Sequence, residues 1–120
     1  MLFLNETHKY NFIKLFNETT IKSYDNERIP LIYIIAGNSD LFKKKYYIYN
    51  LKNNTPNISC LKNINVDFCT SSKSLIRLGF NLFNGYYDEN TNPLHLLFSL
   101  NKNNYKLAIN AMKIRFEILN

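Results

Sequence analysis

A chain of 120 residues and 14.2 kDa is one domain's worth of sequence, and its 46% apolar and 20% charged content excludes a disordered polypeptide. Its longest apolar run, Leu31 to Ala36, is far too short for a transmembrane helix, and Met1-Leu2-Phe3-Leu4 lacks the length and basic flank of a secretory leader, so a soluble cytoplasmic protein without membrane contact is expected. The net charge of +6 invites a nucleic-acid partner, but twelve of the fifteen basic residues are Lys in a chain where Asn, Ile, Lys, Tyr and Phe fill 63 of 120 positions, so A/T-rich codon usage accounts for much of the excess.

Asn5 is placed to cap a first helix running to about Thr20, with Phe12, Leu15, Phe16 and Thr19 on one face. His8 lies one turn before Phe12 on that face and is expected to be packed and hydrogen-bonded. Asp25 to Arg28 makes an acidic helix start, and because proline fits only a first turn, the second helix begins at Ile29 or Pro30. Leu31 to Ala36 is apolar on every side, which predicts a central buried helix ended by Gly37-Asn38. Ser39 or Asp40 then caps a third helix, Leu41 to about Tyr49, on which Lys43, Lys44 and Tyr47 share a face. A basic face around one aromatic ring suits a phosphate backbone with a stacked base, and equally suits plain solvation.

Asn53 to Asn57 is a turn cluster, and the partial alternation of Ile64, Val66 and Phe68 suggests a short strand or hairpin between Ile58 and Phe68, which would have to lie against the helices. Ser71-Ser72 caps the next helix, Lys73 to Asn84, closed by Asn84-Gly85. Leu75, Ile76, Leu78, Phe80, Leu82 and Phe83 form its apolar face, Ser74, Arg77, Asn81 and Asn84 its polar stripe, and Gly79 admits a close neighbour. Asn92-Pro93 starts a short helix to Ser99, with His95 partly buried between Leu94 and Leu96. Asn101 caps the last helix, Lys102 to Leu119, with Tyr105, Ala108, Ile109, Met112, Phe116 and Leu119 as its buried stripe and Lys106, Asn110, Lys113 and Glu117 as its wet one. The expected architecture is mainly α: a single compact orthogonal bundle of five to six helices over 1–120, with an irregular or short β-hairpin segment near 50–70. Ile32, Ile35, Leu78, Leu82, Ile109, Met112 and Phe116 are its expected core.

Cys60 and Cys69 have no CxxC spacing, and the two histidines are far apart, so free thiols, no metal site and no cofactor are expected. Three separated glycines make no phosphate loop. An enzyme would have to draw on His8, His95, Cys60 or Cys69 and scattered carboxylates, none at a motif spacing. The guanidinium suits bidentate contact better than a lysine does, which singles out Arg28, Arg77 (with Asn81 on the same stripe) and Arg115. At least two of the three are expected to border one anionic or acidic-partner surface. The competing expectation pairs each with a carboxylate such as Glu27, Asp88 or Glu117.

Phe3-Leu4-Asn5-Glu6-Thr7-His8-Lys9, Asp25-x-Glu27-Arg28, Tyr33 to Asn38, Ser71 to Leu78, Phe80 to Tyr86 and Ala111 to Phe116 together resemble, over nearly the whole chain, a family of small uncharacterised proteins from Firmicutes and their phages and plasmids. Pro30 departs from the family's pattern. The resemblance implies a mostly helical fold and a mobile-element setting, and it supplies no catalytic residue. By analogy with that setting, the function expected is a non-enzymatic binding protein of a mobile element or phage in a low-GC Gram-positive bacterium. It would occupy a host protein, such as a defence-system nuclease, or an anionic ligand. The alternative is a basic nucleic-acid-binding accessory protein using Lys43, Lys44, Tyr47 and Arg77, and a small nuclease-like enzyme is the third reading.

Overall fold

The computed structural model describes residues 1–63 and 65–117. Along the chain these form α1 (Glu6–Glu18), α2 (Ile29–Ala36), α3 (Ser39–Lys43), α4 (Lys45–Ile48), β1 (Tyr49–Asn50), β2 (Thr55–Pro56), a 3-10 turn over Ile58–Lys62, α5 (Thr70–Asn84), α6 (Pro93–Leu97) and α7 (Lys102–Arg115). All eight residues of α2 are buried, as an element apolar on every side requires. α1, α3, α5 and α7 all pack on it. Pro30 sits in its first turn, where no amide partner is lost. The radius of gyration of 12.9 Å is close to the roughly 13–14 Å of a compact chain this long.

Close approach needs two glycines. A Cβ on Gly79 of α5 would lie 2.5 Å from Leu31 Cδ1, and one on Gly37 would run into Leu107 Cδ1 of α7 and sit 2.9 Å from His8 Nε2. Gly85, left-handed at φ 80°, ends α5 with its amide bonded to the Asn81 carbonyl. Asparagine caps four helices: the Asn5, Asn38, Asn92 and Asn101 side chains accept the amides of His8, Leu41, His95 and Asn104.

Five expectations are corrected. The helix expected over Leu41–Tyr49 is two, because Lys44 leaves helical dihedrals (φ −107°, ψ 19°), with its ammonium bonded to the Asp67 carbonyl and lying over the Phe68 ring. The hairpin comes earlier than Ile58–Phe68: Tyr49 pairs with Pro56 and Asn50 with Thr55, and the turn between them uses Asn54 at φ 53°. Val66 and Phe68 are buried without forming a strand, and Ile64 lies outside the described residues. α5 starts at Thr70 with Cys69 in the cap position, leaving the predicted cap Ser72 buried inside the first turn. α7 is turned about its axis from the expected stripe. Leu107, Ala108, Ala111 and Ile114 are buried, Ile109 and Met112 are half-buried, and Tyr105 and Phe116 are exposed. Leu119 lies outside the described residues. Finally, His95 is exposed, because α6 turns Leu96 inward and leaves Leu94 and Phe98 outside with it.

Candidate functional site

The loop from α1 into α2 and the C-terminal end of α7 lie together, tied by Asn26, whose side-chain amide donates to Glu117 Oε1 at 2.5 Å. Between them runs an open groove of about 560 Å³ that brings together Arg28 and Arg115, with Lys22, Tyr24, Asp25, Glu27, Phe116 and Glu117 around them. A second hollow of about 430 Å³ adjoins it, where Asn81 and the end of α5 meet the same Glu27, Arg115 and Phe116.

The two arginines are held differently. Arg28 is committed to the fold: Nη1 pairs with Asp25 at 2.9 Å, Nε donates to the Asn54 carbonyl at 2.8 Å, and the guanidinium lies 5.1 Å from the Phe83 ring centroid. Arg115 is anchored, among the described residues, by one hydrogen bond, from Nε to the Leu82 carbonyl at 2.7 Å in the last turn of α5, where a cation meets the negative end of the helix. Among the described residues Arg115 forms no ion pair. Two largely exposed aromatic rings line the same groove, Phe116 at 64% exposure and 5.9 Å from the Arg115 guanidinium, and Tyr24 at 78%. Among the described residues three cations and three carboxylates line the groove, both signs in equal number.

Arg77 stands apart. Its Nε binds Asp88 Oδ2 at 2.9 Å, the expected carboxylate pairing. Burial acts to raise the Asp88 pKa, but hydrogen bonds from Tyr86, Arg77, the Asn90 amide and Thr91 outweigh it and hold the carboxylate at about 2. Asn81 donates to the Tyr86 carbonyl and so serves the turn after α5. Of the expected basic face, Lys44 is paired with Asp40 at 2.8 Å, while Lys43 and Tyr47 are exposed.

The histidines do not meet. His8 is buried at the α1–α2 contact, and His95 is exposed, its Nδ1 bonded to the capping Asn92. The thiols also differ. Cys60 is buried, and burial pushes it up to about 12. Cys69 is exposed, with Ser71 and Ser72 hydroxyls each 3.3 Å from its sulfur and Ser72 donating onward to Asp40 Oδ2 at 3.0 Å. Hydrogen bonds from the Ser71 hydroxyl and the Ser72 backbone amide lower its pKa. This Cys69–Ser72–Asp40–Lys44 chain escapes sequence reasoning because Asp40 and Ser72 are 32 positions apart. Among the described residues no His/Cys/Asp/Glu group is arranged to hold a metal ion, and no helix is long and apolar enough to cross a membrane.

What fold and groove define is a small helical protein wrapped around one buried helix. The chain matches a family of unknown function (DUF6075) over residues 1–118 and belongs to it. No curated protein and no solved structure matches it.

Proposed function

We propose that this protein is a non-enzymatic binding protein that docks a segment of a partner protein in the groove beside Arg115. In the setting the family resemblance implies, the partner is a host protein of a low-GC Gram-positive cytoplasm met by a phage or mobile element. The carrying observation is half-buried Arg115 beside exposed Phe116, with exposed Tyr24 on the same groove, whose described lining holds as many carboxylates as cations. Arginine and aromatic rings are the side chains that anchor protein interfaces, because they bury large areas and keep a polar end. The lining argues against a polyanion: Glu27 and Glu117 would repel a phosphate backbone, whereas a protein segment can offer a carboxylate to Arg115, a donor to Glu27 and an apolar side chain to Phe116.

The nucleic-acid reading rests on exposed Lys43 and Tyr47, and Lys44 adds little to it because Asp40 already neutralises it. Cross-linking capture from lysates of low-GC Gram-positive hosts tests the two readings together. A partner held by the native protein is expected to be lost from Arg115→Glu and Phe116→Ser and kept by a Lys43→Ala, Lys44→Ala double variant. Capture that survives the groove substitutions, or saturable binding of a labelled single-stranded DNA or RNA that the lysine substitutions abolish, overturns the proposal in favour of nucleic acid or another surface.

A further inference from the structure

His8 holds the segment before α1 to the rest of the molecule through both ring nitrogens. Its Nδ1 accepts the Leu4 backbone N–H at 3.1 Å, so the proton of the neutral ring sits on Nε2, which donates to the Tyr33 carbonyl at 3.0 Å. The tautomer is thus set by one bond to a backbone donor and one to a backbone acceptor. Phe3 closes the corner, edge-on to His8 at 5.1 Å and 5.5 Å from Phe12, and the Tyr33 hydroxyl donates to the Leu2 carbonyl at 2.5 Å.

Protonation would place an N–H on Nδ1 against the Leu4 N–H, two donors facing each other. Among the described residues no neighbouring charge relieves that conflict. From α2 the titratable group at the corner is the Tyr33 phenol, which burial keeps neutral. From α7 the side chains that reach it are Leu107 and Asn110, both uncharged. On α1 itself the flanking Glu6 and Lys9 are exposed, and from the preceding segment come Phe3 and the Leu4 amide. Among the described residues no carboxylate pairs with the ring.

We propose that His8 is an acid-sensitive latch: gaining a second ring proton breaks its bond to the Leu4 amide and releases the Leu2–Leu4 segment, uncovering the aromatic slot of Phe12 and Tyr33. Burial lowers the His8 pKa below its ordinary 6.5, with the Tyr33 carbonyl partly opposing. The released form therefore takes up the proton more readily than the latched one, so the latch holds above about pH 6.5 and opens as pH falls below it.

The test is ¹⁵N relaxation of the full chain from pH 7.5 to 5.0, with the His8 ring titrated in the same samples. Order parameters of Phe3 and Leu4 are expected to fall from about 0.85 to below about 0.6, with the midpoint of the ring titration, while those of α2 and α5 hold. His8→Gln cannot gain a charge, so its segment is expected to keep one level of order across this range. Three results would overturn the latch: a segment still ordered after His8 has titrated, loosening that spreads equally to α2 and α5, or a His8→Gln chain that loosens over the same pH range. If His8→Gln does not fold, the coincidence of the two midpoints in the native chain decides alone.

Discussion

α5 and α7 are nearly equal in length, 15 and 14 residues, and both pack on α2, yet they hold their places by different means. α5 concentrates large apolar side chains on one face: Leu75, Ile76, Leu78, Phe80 and Leu82 are all buried. Polar side chains then fix it from its flanks, with Ser72 bonded to Asp40, Ser74 to the His95 carbonyl and Arg77 to Asp88. α7 spreads its apolar residues around the helix. The face it buries is the one with the smallest steric demand, Ala108 and Ala111 between Leu107 and Ile114, and it leaves Tyr105 and Phe116 in solvent. Its polar ties are two uncharged ones, Asn104 to Asn38 and Asn110 to the Tyr33 hydroxyl, and the bond from Arg115 to the Leu82 carbonyl. A helix with one strongly apolar face orients itself. A helix whose apolar residues are scattered among polar ones is oriented by the shape of what it meets.

The largest test of this contrast uses the same residue type in both helices. Phe80→Ala in α5 is expected to cost about 3–5 kcal/mol in chemical denaturation, because the ring is fully buried. Phe116→Ala at the end of α7 is expected to change stability by no more than about 0.5 kcal/mol, which would separate its groove role from a structural one. Equal losses would mean that α7 is seated on the stripe its sequence suggests.

A smaller effect comes from the ionic anchor that α5 has and α7 lacks. Asp88 is held at about 2 against an ordinary 3.8, so the unfolded chain takes up its proton first as pH falls. The anchor's contribution is therefore complete above about pH 4 and is lost between there and about pH 2. After screening it is on the order of 1–2 kcal/mol. Asp88→Asn is expected to remove this acid limb from stability measured against pH, whereas Arg115→Ala, which breaks a bond to a carbonyl, is expected to leave it intact.

The smallest effect leaves the fold untouched. Cys69 at the start of α5 is expected to react with iodoacetamide roughly a hundredfold or more faster than Cys60 in the native protein, since one thiol is exposed and lowered by hydrogen bonds from Ser71 and the Ser72 amide and the other is buried and raised. Two thiols alkylating at one rate would mean that the 3-10 turn carrying Cys60 opens readily enough to expose it.

What the sequence determined by itself is the set of features that depend on neighbours along the chain. Asparagine caps, the proline in the first turn of α2, the stop at Gly85 and the all-apolar character of Ile29–Ala36 are local or composition-level signals, and they place helices α1, α2, α5, α6 and α7 within a few residues. Tertiary structure decided the rest. The break at Lys44 falls where its side chain meets Asp67 and Phe68, more than twenty positions away, and α7 faces inward with Leu107 closely fitted to Gly37, a fit its own periodicity does not contain. The candidate site divides the same way. Arginine chemistry marked Arg28, Arg77 and Arg115 in the sequence, and Asp25 pairs with Arg28 only three positions away, but folding set Asp88 against Arg77 and left Arg115 beside Phe116 on the groove that Tyr24 also lines, its guanidinium held among the described residues by the Leu82 carbonyl. Charge is a property of a residue. Whether that charge is already neutralised is a property of its neighbours in space, and those are fixed by packing around α2.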